Sequence, residues 1–363
     1  MSRFLFVCGG TGGHVYPAIA VAEAVRRYVP GAAVSFAGKK KGFEEKVITD
    51  AGFPCQGIRA EGFDRTRFLR NVRLLYVLPL GFWQAFRLVR RERPDLVFGT
   101  GGYVCVPVLL ASLLQFRPIA LHALDSYPGV AVRFFARFAR RIFLGYREAA
   151  AYLPRRARVM VTGNPLRETT CPMARNLRAD FNIPAPRKVV LVVGGSQGAM
   201  AVNRMVLEYV RAVDGRGDRF LLWQTGQRDF EEMQRAAAGF QDLRLFPYID
   251  NIYDFYRAAD VILCRAGAMT ISELIKFGLP AVFIPLPSSA GDHQRKNAET
   301  IEKLGGGVCV RQKDGAPALI QAVEKLLTDE PKLRVMRARM QALHREDAAR
   351  TIALELGKEA AHG

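Results

Sequence analysis

The chain has 363 residues, half of them hydrophobic, with 53 Lys+Arg against 34 Asp+Glu and a formal net charge of +19. That length predicts about two domains, and the composition excludes a disordered chain. Six cysteines (Cys8, Cys55, Cys105, Cys171, Cys264, Cys309) form no CxxC pair, which argues against a zinc site or disulfide framework and for a reducing compartment.

The charge is uneven. Residues 1–165 hold 25 Lys+Arg and 10 Asp+Glu, a net of +15, and the remainder holds 28 and 24, a net of +4. An anionic partner for the first half alone is implied, whether nucleic acid, lipid headgroups or a phosphorylated substrate. The opening MSRFLFVCGG is too short an apolar run for a signal peptide or membrane span.

In chain order, Phe4–Cys8 reads as a strand, GGTGGH at 9–14 as a glycine loop, and PAIAVAEAVRRY from Pro17 as a helix with proline in its first turn. Strands follow at 32–38 and within 95–104. The pattern restarts at 188 with KVVLVVGGSQGAMAVN and continues through RFLLWQTG, LRLFPYI, DVILCRAG and PAVFIPL. Two halves that each open strand–glycine loop–helix predict two Rossmann-like, doubly wound α/β domains facing each other. The periodicity breaks around 162–176. Domains of 1–162 and 163–340 follow, with 341–363 as a C-terminal helix and tail packing back on the first.

Neither glycine loop spells GxGxxG or GxxxxGK[ST], so P-loop chemistry is not indicated. Two such loops at matching places nevertheless favour anion binding at helix N-termini over mere tight turns. His14 ends the first loop where a helix begins, near the positive end of its dipole, which favours a neutral, basic imidazole suited to a general base. The plainer alternative is a ring nitrogen bonded to a neighbouring carbonyl. His122 ends a strand and reads as buried and structural. In CRAGAMTISELIKFGLP a helix over Thr270–Phe277 puts Glu273 near its first turn, where it either accepts hydrogen bonds from a ribose diol or complements the helix dipole.

GGTGGH at 9–14, GTGGYV at 99–104, GNPLR at 163–167, VVGGSQGA at 192–199, CRAGAMTISE at 264–273 and DHQRKNA at 292–298 occur in the order found in the MurG family. The chain resembles that family of peptidoglycan UDP-N-acetylglucosamine transferases along essentially its whole length. The resemblance implies a GT-B fold with the active site in the cleft between two domains. It implies transfer of GlcNAc from UDP-GlcNAc to the 4-hydroxyl of undecaprenyl-diphospho-MurNAc-pentapeptide (lipid I to lipid II), with inversion.

By the same resemblance, His14 would be the base. Thr11, Gly12 and Gly13 would line the cleft, and Gly13, His14, Gly101, Gly102 and Tyr103 would hold the acceptor diphosphate. On the donor side, Arg167, Ser196 and Gln197 would meet the UDP diphosphate, Ile249 the uracil and Glu273 the ribose. Arg265 and Ala268, Met269, Thr270, Ile271 and Ser272 would line the diphosphate and sugar, and Gln294 would bond to GlcNAc hydroxyls. No DxD motif occurs, so transfer without a metal or other cofactor is expected. The family's His-Glu-Gln-Asn stands here as His122-Ala123-Leu124-Asp125. Asp125 either contacts the sugar or holds the His14 tautomer.

Arginines interleave with aromatic and aliphatic residues at 65–93 and again at 130–143, a pattern suited to an anionic membrane surface or, alternatively, to core-facing helices with a solvated side. The expected setting is peripheral, at the cytoplasmic face of the inner membrane, with UDP-GlcNAc, lipid I and cell-wall or division proteins as partners and no nucleic acid. A diacylglycerol-type transferase, a UDP-GlcNAc 2-epimerase and a non-catalytic relative are the alternatives that share the fold.

Overall fold

The computed structural model describes residues 2–62, 72–167, 175–195 and 198–361, and resolves into two compact units. The first comprises Met1–Glu168 with Arg345–Gly363, and the second Thr169–His344. The expected boundary at 162/163 falls slightly early. Gly163 stays on the first sheet, its N–H bonded to the Leu144 carbonyl at 3.1 Å.

The first unit is built on seven parallel strands. They are β1 (Arg3–Val7), β2 (Ala33–Lys39), β3 (Cys55–Ile58), β4 (Leu96–Gly99), β5 (Ile119–Ala123), β6 (Arg141–Leu144) and β7 (Val159–Val161), in spatial order 3-2-1-4-5-6-7. β1 reads as an unbroken apolar run because both its faces are covered. Phe4 and Phe6 pack on one side with Phe36 and Phe98, beneath helices Gly12–Tyr28 and Ala348–Ala361. Leu5 and Val7 pack on the other, where Ala85, Leu88 and Val108 come from helices Leu74–Glu92 and Cys105–Leu114. The C-terminal helix joins this core through Ile352, Ala353 and Leu356.

The second unit has six parallel strands: β8 (Lys188–Val193), β9 (Arg219–Gln224), β10 (Leu243–Phe246), β11 (Val261–Cys264), β12 (Ala281–Phe283) and β13 (Gly307–Cys309), in order 10-9-8-11-12-13. Each unit is thus a doubly wound, Rossmann-like domain of the GT-B type. In each, the strand order reverses beside the first strand of the half, between β1 and β4 and between β8 and β11. Ligands of open α/β sheets bind at the carboxyl ends of the strands at such a switch point.

An aspartate secures the amino-terminal end of both pairs. Asp95 Oδ2 accepts the Arg3 N–H at 2.8 Å and Asp260 Oδ2 accepts the Val189 N–H at 2.8 Å. Asp260 is held in turn by Arg178 at 2.6 Å and Arg337 at 3.1 Å.

Candidate active site

The loops after β1, β4, β8 and β11 are the glycine-containing segments singled out in the sequence, so the topology delivers all four to the switch points. Helices Gly12–Tyr28, Met200–Val213 and Ala268–Phe277 start there, each without an acidic residue in its first turn and without a side-chain cap. Their first N–H groups therefore present partial positive charge to any anion brought to these loops.

In the first unit the helix begins at Gly12, upstream of the expected start at Pro17. The hydrogen bond that Pro17 cannot donate is the one that would close on the Gly13 carbonyl. The Thr11 carbonyl accepts the His14 N–H at 3.1 Å and closes the first turn. His14 is half-buried, and its Nδ1 donates to the Thr100 carbonyl at 2.9 Å, while the Thr100 hydroxyl donates to the His14 carbonyl at 2.8 Å. The carbonyl contact foreseen as the plain alternative is present, and it supplies what a base requires. With the proton on Nδ1, a neutral ring carries its lone pair on Nε2.

Glycines make this approach sterically feasible. A Cβ on Gly101 (φ +107°) would lie 2.9 Å from His14 Cε1, and one on Gly102 (φ +89°) would lie 1.9 Å from the Gly9 carbonyl oxygen. The Cys105 thiol supports the same loop by donating to the Gly101 carbonyl at 2.9 Å. Cys105 opens a helix and, like Cys8 and Cys264, is buried, and burial raises all three thiols well above the ordinary range. Cys55 and Cys309 are half-buried and raised to about 12. Cys171 lies outside the described residues.

Glu44, buried on helix Phe43–Asp50, accepts the Gly10 N–H at 2.7 Å. The Tyr103 ring packs over Gly10, where a Cβ would sit 3.0 Å from its edge.

Asp125 is half-buried, and the carbonyl of Leu124 before it accepts from Asn164 Nδ2 at 3.0 Å. Ala123, at the position of the family's glutamate, lies in the apolar core, so a carboxylate there would have no solvent. His122 is fully buried, bonded through Nε2 to the Gly163 carbonyl at 3.3 Å, and burial lowers its pKa to about 4. Arg167 lies in the first unit, paired with Glu23 at 2.7 Å.

In the second unit Ser196 and Gln197 lie outside the described residues. The loop around them is framed by Gly195 (φ +107°) and Gly198 (φ +83°), and a Cβ on Gly198 would meet Asp229 Oδ2 at 2.8 Å. A buried polar group lies behind the loop. Asn203 donates to the Thr225 carbonyl at 2.9 Å and to Asp229 at 2.8 Å, and accepts from Trp223 Nε1 at 3.1 Å. Gln224 bonds to the Gly195 carbonyl and to the N–H of buried Ile249.

Helix Ala268–Phe277 starts two residues before the expected Thr270, with Gly267 as its N-cap. This moves Glu273 into the second turn, away from the dipole position. Glu273 is half-buried and accepts from the Tyr256 hydroxyl at 3.0 Å. Burial pushes its carboxyl up to about 7, against the smaller downward pulls of that hydroxyl and of Lys276.

Ala268, Met269 and Thr270 are half-buried at the helix start. The Ile271 side chain is buried, and the Ser272 hydroxyl donates to the Ala268 carbonyl at 2.8 Å. The Arg265 guanidinium is engaged by the carbonyls of Ile284 and Pro285 and by Gln312, so it braces the loop after β12. Gln294 Oε1 accepts the Leu286 N–H at 3.0 Å, and Asn297 donates to the Ala266 carbonyl at 3.3 Å.

Each unit carries glycine loops at its switch point, and family models define the class. Residues 4–144 match the glycosyltransferase family 28 N-terminal domain and residues 189–352 its C-terminal domain. The chain is 38% identical over 355 residues to the UDP-N-acetylglucosamine–N-acetylmuramyl-(pentapeptide) pyrophosphoryl-undecaprenol N-acetylglucosamine transferase of Salinibacter ruber, covering 98% of this chain and 96% of that relative. The same-named protein of Chlorobium limicola is 38% identical, with 96% and 97% covered. The crystal structure of Acinetobacter baumannii MurG superposes with a TM-score of 0.80 at 25% identity, over 99% of this chain and 100% of that one. The chain belongs to this family of N-acetylglucosamine transferases, the MurG family.

Sequence reading missed several residues that hold the site: Thr100, Glu44, Asn164, Gln224, Asn203, Tyr256 and Asn297. Thr100, Asn164 and Asn297 sit inside the quoted family motifs and Asn203 ends the quoted 188–203 run, which was the available signal. Gln224 showed only as a polar residue ending an apolar strand. Glu44 gave no signal, because FEEKVITD reads as an ordinary helix with acidic residues at its start.

Proposed function

We propose that this protein moves N-acetylglucosamine from UDP-GlcNAc to the 4-hydroxyl of undecaprenyl-diphospho-N-acetylmuramoyl-pentapeptide, making lipid II from lipid I with inversion. Near-full-length identity to transferases of that name supports the substrates. The observation that carries the chemistry is the 2.9 Å bond from His14 Nδ1 to the Thr100 carbonyl.

Nε2 takes the proton of the acceptor hydroxyl as its oxygen attacks the anomeric carbon. The bond from that carbon to the UDP oxygen breaks, and UDP leaves from the opposite face carrying the electron pair. Charge on the departing diphosphate is balanced by the uncapped starts of helices Met200–Val213 and Ala268–Phe277, with Ser196 and Gln197 in the loop between β8 and the first of them. Ile249 reads the uracil, Glu273 the ribose diol and Gln294 the sugar. Gly101, Gly102 and Tyr103 hold the acceptor diphosphate. These dipoles support transfer without a metal ion.

The protein acts as a peripheral protein at the cytoplasmic membrane face. Among the described residues no helix is long and apolar enough to cross a membrane. Helix Leu74–Glu92 turns Leu75 (78% exposed), Tyr76, Leu78, Leu80 and Trp83 outward, and Val130, Phe134 and Phe138 are exposed on the same unit. Arg87 stacks 3.5 Å from the Trp83 ring centroid and Arg137 5.6 Å from Phe134. Such pairs suit an interface of acyl chains and anionic headgroups. The second stretch divides: Val132 and Phe135 face the core while Val130 and Phe134 face out. Residues 65–71 of the first stretch lie outside the described residues.

The test is transfer of radiolabelled GlcNAc from UDP-GlcNAc to a short-chain lipid I analogue, with and without EDTA. Labelled lipid II in both arms is expected. Unlabelled lipid I with UDP-GlcNAc still bound would overturn the acceptor assignment, and loss of transfer in EDTA alone would overturn metal independence.

A further inference from the structure

Gln224 is the last residue of β9, the strand flanked by β8 and β10 and paired in register with Val193 on one side and Phe246 on the other. Its side chain is buried, and the two ends of its amide reach two different loops. Nε2 donates to the Gly195 carbonyl at 3.3 Å, and Oε1 accepts the Ile249 N–H at 3.0 Å. The orientation is fixed by its partners, since the reverse would set an NH2 against an N–H and an oxygen against a carbonyl. One amide therefore ties the opening of the diphosphate loop to the segment after β10.

No other side chain of this length offers both a donor and an acceptor at neutral pH. Glutamate keeps the acceptor alone, leucine keeps neither, and asparagine is a methylene short. Both partners of the Gln224 amide lie outside β9 itself. They lie on opposite sides of β9, where the proposed reading puts the diphosphate and the uracil.

We propose that Gln224 is a positioning residue that couples diphosphate recognition to base recognition, fixing the spacing between the Gly195 loop and Ile249 and so selecting a uridine diphosphate over either part alone. This rests on the donor assignment above. The gain in affinity from uridine to UDP should depend on Gln224, because the base must be seated for the diphosphate to meet its loop at the right distance.

The test is equilibrium competition by uridine and by UDP on the full chain. In the native protein UDP should bind far more tightly than uridine. In Gln224→Leu the UDP affinity should fall about tenfold or more, with uridine changed by less than about threefold, and the Michaelis constant for UDP-GlcNAc should rise with little change in turnover at saturation. Equal weakening of both ligands, or an unchanged ratio, would overturn the coupling.

Gln224→Asn, neutral but a methylene short of spanning both partners, is the second variant should the leucine variant not fold. It should keep uridine affinity within about threefold and lose UDP affinity, with no charge placed beside the diphosphate. A parallel loss of uridine would overturn the proposal. Native protein that binds UDP no better than uridine would instead remove the donor reading itself.

Discussion

In the first unit the loop after β1 is held mainly by close backbone packing, with the Glu44 carboxylate on the Gly10 N–H as a side-chain tie. Gly102 rests on the Gly9 carbonyl, Gly101 on the His14 ring, and the main chain of Thr100 receives the imidazole. In the second unit the loop after β8 is held by side chains. Gln224 bonds to the Gly195 carbonyl and Asp229 lies against Gly198, with Asn203, Trp223 and Thr225 in the hydrogen-bond network behind them. The topology and the switch point are the same. The first arrangement suits a site whose work is one precisely aimed nitrogen, since close-packed backbone leaves that ring little freedom. The second suits a site that grips a flexible nucleotide, since the side chains set the distance between separate contacts.

His14 carries the largest single effect that follows from this contrast. His14→Ala should lower transfer by about 10²–10⁴-fold while leaving UDP affinity within about twofold, measured by initial rates and by titration. A matching loss of UDP affinity would mean that the loop of the first unit does more than aim a base.

Gly102→Ala comes next and breaks the backbone packing directly. The added Cβ meets the Gly9 carbonyl at 1.9 Å on a residue with φ +89°, so a loss of about 3 kcal/mol or more is expected in denaturant unfolding. Asn203→Ala makes the equivalent cut in the second unit. It leaves the Trp223 N–H and one side of Asp229 without this partner, at about 2–4 kcal/mol in the same measurement. A glycine cut milder than the asparagine cut would reverse the assignment of backbone support to one unit and side-chain support to the other.

The architecture was legible because hydrophobic runs and glycine loops recur in the same order in both halves, which is what a duplicated doubly wound design looks like in one dimension. The loops were legible for the same reason. What holds them was not, because the partners are remote in the chain: Glu44 reaches Gly10, Thr100 reaches His14, and Gln224 reaches Ile249. No local pattern marks a carboxylate that will cap a loop N–H from another helix. The helix over 268–277 was placed two residues late because Thr270 looked like a start, while Gly267 in extended backbone served as the cap. That shift changed the physics of Glu273 from dipole complement to partly buried acid.

Glu273 gives a smaller, pH-dependent effect confined to the second unit. Its carboxyl titrates near 7 in the free protein, above the usual range, because burial disfavours the charge. The sign follows. A raised carboxyl stabilises the fold below its unfolded pKa, and that contribution is lost as pH rises through about 7. A ribose diol that donates to the carboxylate needs the charged form, so UDP affinity should increase roughly tenfold from pH 6 to pH 8. Glu273→Gln should lack this increment, with the titration of the phosphate itself common to both proteins. Equal pH profiles would remove the ribose contact.

The smallest effect concerns the exposed apolar face of helix Leu74–Glu92 on the first unit. Arg87, stacked on exposed Trp83, should contribute about 1 kcal/mol to partition onto anionic vesicles, so Arg87→Glu, which also adds a repelled charge, should reduce co-sedimentation at least about fivefold at low salt. Arg235 is exposed on helix Phe230–Ala236 of the second unit, and the same reversal there should leave partition unchanged. The pair separates local contact from net charge, because each substitution changes the total by the same amount. Equal losses would mean that long-range attraction of the whole basic chain, not the apolar face with its arginines, brings the protein to the surface. A loss at Arg87 alone, and one that shrinks as salt rises, fits a face that lies within a Debye length of the headgroups.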